Sequence, residues 1–324
     1  MAARRSIETG TGRKLSSALL FLIGTAATLG TVAGFFGATW WGFDRLADWR
    51  FPYLTLLLVI AIVYGFVFRR ALSAVFLLAA VVNAALLAPM WLSTQATAGS
   101  GDRIRVVSLD TSGSGDHRGQ IIDWINGEEA DVALLFRTTG DWAAALTDSE
   151  APYRVVPIPV SEDSYGTPLV LVRHTATASP LPPTPGADLT VSVGNGTMAV
   201  TLIGIAVPAP GSASEADRRI ERFTAINAAT RATEGPVVVT GNLETSRWSY
   251  AFGLISEGII NSEDGFGYAA TWPSYDWPII GGYTGLPLDH ALYLGAITVS
   301  YRLVGPDLGP AHRALLFDVS PSDR

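Results

Sequence analysis

The sequence predicts an α/β protein in which three membrane-spanning helices precede one soluble α/β sandwich. Three observations predict it. Charge-free apolar stretches dominate the first ninety-odd residues; a small polar segment follows them; and beyond it short β-rich runs alternate with a few spaced helical stretches. The chain therefore divides into a membrane anchor (1–92), a linker (93–102) and a soluble domain (103–324).

The first predicted span, residues 15–40, is free of charge and long enough to cross roughly 30 Å of hydrocarbon as helix. Residues 51–68 form the second and 71–92 the third. A cleaved signal peptide would account for the first alone, and that stretch is too long for the usual apolar region of one. Trp40, Trp41, Trp49 and Trp91 fall near span ends, where aromatic rings favour the interface. Arg4, Arg5, Arg13 and Lys14 precede the first span, and Arg69 and Arg70 form the turn between the second and third. The loop between the first two has only Arg45 and Arg50, offset by Asp44 and Asp48. Positive charge marks the cytoplasmic side, so the N-terminus is expected inside, and after an odd number of spans the soluble domain lies outside the cytoplasm. Gly30-x-x-x-Gly34 and Ala33-x-x-x-Gly37 give the first helix a small-residue face for its neighbours, and Asn83 is expected to hydrogen-bond inside the bundle.

Charge separates the parts further. Through Leu92 there are eight Lys or Arg against three Asp or Glu, near +5; the remainder has fourteen against twenty-six, near −12. An acidic domain repels a phosphate backbone, so no nucleic-acid partner is expected. Lys14 is the only lysine, and the absence of cysteine excludes disulfides, thiolate metal sites and cysteine nucleophiles.

In the soluble domain, strands are predicted at 103–109, 131–136, 153–158, 168–172, 189–193, 198–207, 236–240, 291–294, 297–303 and 314–319. Helices are predicted at 118–126 and 214–232, the latter opening with a serine cap and acidic residues. Residues 179–187 (SPLPPTPGA) read as a proline-rich surface loop.

Several segments carry a pattern in order. Arg105-Val-Val-Ser-Leu-Asp110 ends an opening strand, and Ala130-Asp-Val-Ala-Leu-Leu-Phe-Arg137 ends a second. Pro236-Val-Val-Val-Thr-Gly-Asn-Leu-Glu244 is a later strand. Leu288-Asp289-His290-Ala291-Leu292 is followed about twenty residues on by Leu308-Gly309-Pro310-Ala311-His312-Arg313-Ala314. Together these resemble the endonuclease/exonuclease/phosphatase superfamily, the DNase I-like phosphoesterases. The resemblance covers about residues 103–319, and three spans before such a domain resemble a known bacterial arrangement of the family. It implies a DNase I-like α/β sandwich. It also implies a site in which an Asn and a Glu hold a divalent cation that polarises the phosphate. The Asp and Asn of a "GDFN" strand orient water and phosphate. A central His and the last His of "SDH" contact the phosphate, and an Asp in "DH" orients that last His.

Position by position, this chain departs from that pattern. The opening Asn is Asp110 and the metal-holding Glu is Arg137. The "GDFN" Asp is Asn242 and its Asn is Glu244. The central His falls near Ala206 or Val207, and the "SDH" Asp is Ala311. Asp289, His290 and His312 keep the family identity. A guanidinium cannot ligate a metal. Arg137 is therefore expected to take the cation's position and pair with some of Asp110, Glu244 and Asp289, and Asp289 with His312 is expected to persist as a structural hydrogen bond. His117 and His174 read as surface residues, Ser161-Glu162-Asp163 as a solvated turn, and Gly281-Gly282 lacks the helix and lysine of a phosphate loop. The functional expectation is an extracytoplasmic pseudoenzyme with no cofactor, acting as a binding or accessory subunit with a membrane-protein partner. The alternative is an active phosphoesterase with a rearranged site, in which Mg²⁺ or Mn²⁺ would be required.

Overall fold

Contacts divide the chain into two units, residues 1–89 and 90–324. The computed structural model describes residues 2–322 except 69, 96, 98, 100, 114–115, 150 and 275–284, with only the backbone described at 2–13 and 70. Gly281-Gly282, Arg69, Arg324 and the side chains of Arg4, Arg5, Arg13 and Arg70 thus lie outside the described residues.

The first unit contains α1 (Ala2–Ala33), α2 (Trp41–Leu46), α3 (Arg50–Val67) and α4 (Arg70–Leu87). Lys14–Phe36 and Trp41–Val67 are long and apolar enough to cross a membrane by length and composition. The predicted third span is corrected. Its apolar helix is Ala71–Leu87, and the chain then restarts in the four-residue α5 (Pro89–Leu92). Proline has no N–H to continue the ladder, and its ring clashes with the preceding turn. Among the described residues two helices, not three, reach spanning length.

The small-residue face packs against its own neighbours. A Cβ at Gly30 would collide with Tyr53, one at Gly34 would come within 2.8 Å of the Arg50 guanidinium, and one at Gly37 within 2.6 Å of the Asp44 carboxylate. Asn83 Nδ2 donates to Thr31 Oγ1 and to the Ala79 carbonyl, both at 2.9 Å. Arg50, which the sequence places in a loop, is instead buried, donating at 2.7 Å to the Thr31 carbonyl.

The second unit runs β1 (Ile104–Asp110), α6 (Arg118–Gly127), β2 (Val132–Thr138), α7 (Trp142–Ser149), β3 (Tyr153–Val156), β4 (Thr167–Arg173), β5 (Thr177–Pro180), β6 (Leu189–Asn195), β7 (Met198–Gly204), α8 (Ala213–Ala232), β8 (Val237–Asn242), α9 (Tyr250–Ser256), β9 (Ile260–Asn261), β10 (Asp289–Leu294), β11 (Ile297–Val304) and β12 (Leu315–Pro321). Two six-stranded sheets form, ordered β11-β12-β1-β2-β4-β3 and β5-β6-β7-β8-β10-β9. Each has one parallel pair, β1 with β2 and β7 with β8, joined across α6 and α8 respectively.

Alternation along the strands builds the layers. Val106, Leu134, Val238 and Ala291 enter the core between the sheets. Val107, Leu109 and Leu135 turn the other way, beneath Ile121, Ile125 and Trp142 of α6 and α7. Val237, Val239 and Leu292 pack on Phe223 and Ile226 of α8 and Phe252 of α9. The result is an α/β/β/α sandwich with buried apolar residues on both faces of each sheet. Helix α8 begins with Ser212 accepting from the Glu215 N–H, two residues before the predicted serine.

Candidate functional site

The topology explains why residues two hundred positions apart meet. Asp110 ends β1, and Arg137 sits near the end of the parallel neighbour β2. Asn242 ends β8 and is directly opposite Asp289, the first residue of the antiparallel β10. β12 runs antiparallel to β1, with Leu315 opposite Ser108, so the segment before it carries His312 past the end of β1. That segment is fixed by the Ala311 N–H donating to the Ser112 carbonyl at 2.9 Å.

Asp110 is fully buried and completely bonded. Its Oδ1 accepts from Arg137 Nε and the Ser112 N–H, each at 2.9 Å; its Oδ2 accepts from Arg137 Nη2 and, at 2.9 Å, from Asn242 Nδ2. Burial alone would raise the Asp110 carboxyl, but the Arg137 guanidinium and Asn242 hold it below the ordinary carboxylate value. Burial likewise opposes the charge on Arg137, and the Asp110 pairing outweighs it, raising that group.

Backbone conformation aims two of these side chains. Arg137 has φ +52° and Glu244 φ +48°, left-handed values that cost free energy for residues with a Cβ. Arg137 lies in a bulge where β2 slips against β4 between Leu135 and Thr138. Gly166 faces it: a Cβ there would lie 3.0 Å from Arg137 Cα. Glu244 turns because its N–H donates to Asn242 Oδ1 at 2.8 Å, which brings its carboxylate back to 3.2 Å from Asn242 Nδ2. Arg219 of α8 holds the Glu244 carbonyl at 3.2 Å.

His312 lies between two carboxylates, its Nδ1 2.8 Å from Asp289 Oδ2 and its Nε2 3.3 Å from Glu244 Oε1. Burial lowers the imidazole, yet the two carboxylates raise it to about 10. At neutral pH it is an imidazolium donating from both nitrogens. The 3.3 Å approach of Asn242 Nδ2 to His312 Nε2 is then a meeting of two donors, so Asn242 directs its hydrogens to Asp110 and Glu244. Glu244 is lowered: burial acts against its charge, and His312, Asn242 and Arg137 outweigh it. Three carboxylates thus enclose two cationic side chains. Among the described residues, no group of three or more His, Asp or Glu side chains is arranged to hold a metal ion.

Ala206 and Val207 are both buried beside this centre, the Val207 N–H donating at 3.0 Å to the Asn242 carbonyl. His174 is exposed, and Glu162 and Asp163 form an exposed turn. His117 differs from its surface reading: it is half-buried, with its ring against Gly309.

A second charged cluster adjoins the first, and the sequence reading missed Glu263, Arg302 and Arg247 in it. Fully buried Glu263 places Oε1 2.8 Å from His290 Nδ1 and 3.7 Å from Arg302 Nη2, with Oε2 3.8 Å from Arg247 Nη1. Burial would raise Glu263, but His290, Arg302 and Arg247 around it hold it at about 2. The Nε2 of His290 lies 2.7 Å from the Thr245 carbonyl, tying the cluster to the loop that carries Glu244. Its one sequence signal was His290 in the Asp289-His290 pair.

The fold and the convergence of these strand ends define a DNase I-like α/β sandwich. Residues 108–323 match the Endonuclease/Exonuclease/phosphatase family, and the chain belongs to that family. Three solved structures share the fold. D. rerio TDP2, complexed with single strand DNA product, superposes with TM-score 0.52 at 10% identity, covering 68% of this chain and 100% of that one. A humanized D. rerio TDP2 bearing 14 mutations gives 0.51 at 11% identity, with coverages of 67% and 99%. A functionally unknown conserved protein from Enterococcus faecalis V583 gives 0.50 at 11% identity, with coverages of 68% and 100%. At these identities the likeness is one of fold alone. No curated protein sequence matches the chain.

Proposed function

We propose that this chain is a membrane-anchored family member that does not hydrolyse phosphoesters, a pseudoenzyme acting as a binding or accessory subunit of a membrane complex. One observation carries the reading: the Arg137 guanidinium bonds both oxygens of buried Asp110, in the position where the family resemblance puts a metal-holding carboxylate. The donor chemistry does not fit the family's divalent cation. Arg137 offers no lone pair, Asp110 has its oxygens fully engaged, and Glu244 and Asp289 both face the His312 imidazolium. A divalent ion roughly 4 Å from the guanidinium would meet about 8 kcal/mol of repulsion at an effective dielectric of about 20, which nearby carboxylates offset only in part.

The alternative reading, a phosphoesterase with a rearranged site using Mg²⁺ or Mn²⁺, is favoured by the Asp289–His312 pair alone. Against it, a catalytic acid works best with a pKa near the operating pH, and His312 is held at about 10. The single-strand DNA bound by the D. rerio neighbour is not carried over, because this domain's charge is near −12. The deciding assay uses the full-length protein on nucleotide, sugar-phosphate and phospholipid esters with Mg²⁺, Mn²⁺ or Ca²⁺. No turnover is expected; metal-dependent turnover abolished by His312→Ala would overturn the reading.

Anchoring rests on Lys14–Phe36 and Trp41–Val67. Placement of the domain outside the cytoplasm rests on the positive charges flanking the spans and requires α4 to cross as well. Its apolar part, Ala71–Leu87, is shorter than the two helices that reach spanning length, so the placement stands or falls on whether this segment crosses. A reporter fused after Arg324 is expected to be extracytoplasmic, and cytoplasmic labelling would refute the placement.

A further inference from the structure

The loop after β9, residues 262–274, clasps the chain where it enters the second unit. The Gly267 N–H donates to the Met90 carbonyl at 2.7 Å, and Gln95 Nε2 donates to the Gly265 carbonyl at 2.9 Å. Gly265 and Gly267 have left-handed backbones, φ +84° and +80°, and their lack of a side chain lets the two segments approach. A Cβ at Gly265 would lie 2.8 Å from the Ser93 carbonyl oxygen, and one at Gly267 3.3 Å from Trp91 Nε1. Residues 90–95 and this loop therefore share one surface.

The charges of the loop are turned inward or paired. Glu263 is fully buried with His290, Arg302 and Arg247, and Asp264 meets Arg247 at 2.6 Å. What the surface exposes is apolar and aromatic. Trp91 is 50% exposed and Leu92 81%. Phe266 and Tyr268 are half-buried, and Trp272 is exposed. Gly285 ties the last two together: its carbonyl accepts from the Tyr268 hydroxyl, and a Cβ on it would lie 2.7 Å from the Trp272 carbonyl oxygen.

Chain length and charge say what covers this surface. Met90 follows Leu87, the last residue of the apolar α4, by three residues, a reach of at most about 11 Å. The headgroup layer on each side of the hydrocarbon is roughly 5–8 Å thick, and Trp and Tyr favour it because one end of each ring system is apolar and the other polar. A domain near −12 is repelled by anionic headgroups, whereas a surface whose own carboxylates are paired suits zwitterionic ones. We propose that Trp91, Leu92 and the loop bearing Phe266, Tyr268 and Trp272 form a lipid-docking surface that lies in the headgroup layer of a zwitterionic bilayer. Docking there rests on the membrane-anchored reading and requires α4 to enter the bilayer.

The chain has no cysteine, so one introduced thiol carries a unique label. Full-length Leu78→Cys, Glu162→Cys, Phe266→Cys and Trp272→Cys are each labelled with a fluorophore and reconstituted in phosphatidylcholine vesicles. The vesicles contain lipids spin-labelled either at the headgroup or deep in the acyl chain. Labels at positions 266 and 272 should lose fluorescence to the headgroup spin label, and the label at 78, in α4, to the deep one. The label at 162, in an exposed turn of the same unit, should lose it to neither. Two loop positions keep the test readable if one variant fails to fold. Quenching at 78 with none at 266 and 272 would overturn the docking surface and leave the anchor standing, whereas no quenching at 78 would overturn both. Equal quenching at 162 and 272 would also overturn it, since no one face would then meet the lipid. A label at 272 that stays in water in these vesicles but is shielded in native membranes would give the surface to a protein partner instead.

Discussion

Replacing Arg137 with Gln tests the charged centre most directly. Asp110 is 0% exposed at its side chain and Arg137 21%. Breaking a buried pair from one side costs about 3–5 kcal/mol, because the remaining charge is left without its counter-charge. Asp110 would keep the Ser112 N–H and Asn242 Nδ2, and Arg137 is partly solvated, so the low end, about 3 kcal/mol, is expected. For a domain of this size that lowers Tm by roughly 6–12 °C. The double variant Asp110→Asn/Arg137→Gln removes both charges and should lie within about 1 kcal/mol of wild type, about 2 kcal/mol less destabilised than Arg137→Gln alone. A second arm reads the cation directly. Without the guanidinium, Mn²⁺ should raise the Tm of Arg137→Gln by binding the folded state and leave wild type unchanged. A single-variant cost below about 1 kcal/mol, or equal stabilisation of both proteins by Mn²⁺, would refute the claim that Arg137 serves as the site's internal cation.

Three further outcomes follow from the same geometry. The folded-state pKa of His312 is raised from 6.5 to about 10, so its stabilisation is complete below about 6.5 and lost as pH rises through about 10; thermal melts of wild type should weaken over that window, and His312→Gln should show a flatter profile. Glu263→Gln leaves buried Arg302 without its carboxylate and should cost about 3–5 kcal/mol in urea unfolding, whereas a change under 1 kcal/mol would show the cluster to be dispensable. Gly241 has φ +141°, and a Cβ there would run into the Ile205 carbonyl, so Gly241→Ala should cost more than about 3 kcal/mol; the control Gly253→Ala, a helical position with open space around it, should stabilise by about 0.4–1 kcal/mol.

The elements the sequence reading found are those whose signal is local. β1, β2 and β8 are apolar runs ended by a polar residue, α6 carries Ile121, Ile122 and Ile125 on one buried face, and α8 opens with a serine cap, so each announces itself within its own window. The missed elements have no such window. β9 is two residues, Ile260–Asn261, and exists because β10 offers Tyr293 and Leu292 to pair with; β5 is four residues held by β6. α7 and α9, at eight and seven residues, are too short for their periodicity to stand out. The third span failed at a proline whose effect depends on where the helix register places it.

The sequence by itself determined the division into an apolar N-terminal part and an acidic sandwich domain, because both follow from composition and from periodicity within short segments. It also ordered the strand ends that meet at the charged centre. Tertiary structure alone decided the partners. Arg137 carries one charge and three carboxylates stand within its reach in any linear reading; the bulge in β2 and the left-handed backbone at Arg137 aim it at Asp110, while β10 and the segment before β12 give His312 to Asp289 and Glu244. Likewise Glu263, His290 and Arg302 have no shared pattern along the chain. They meet because the hydrogen-bonded register of β10 and the packing of β11 beside it bring three isolated residues into one buried place, where only mutual pairing offsets the loss of water.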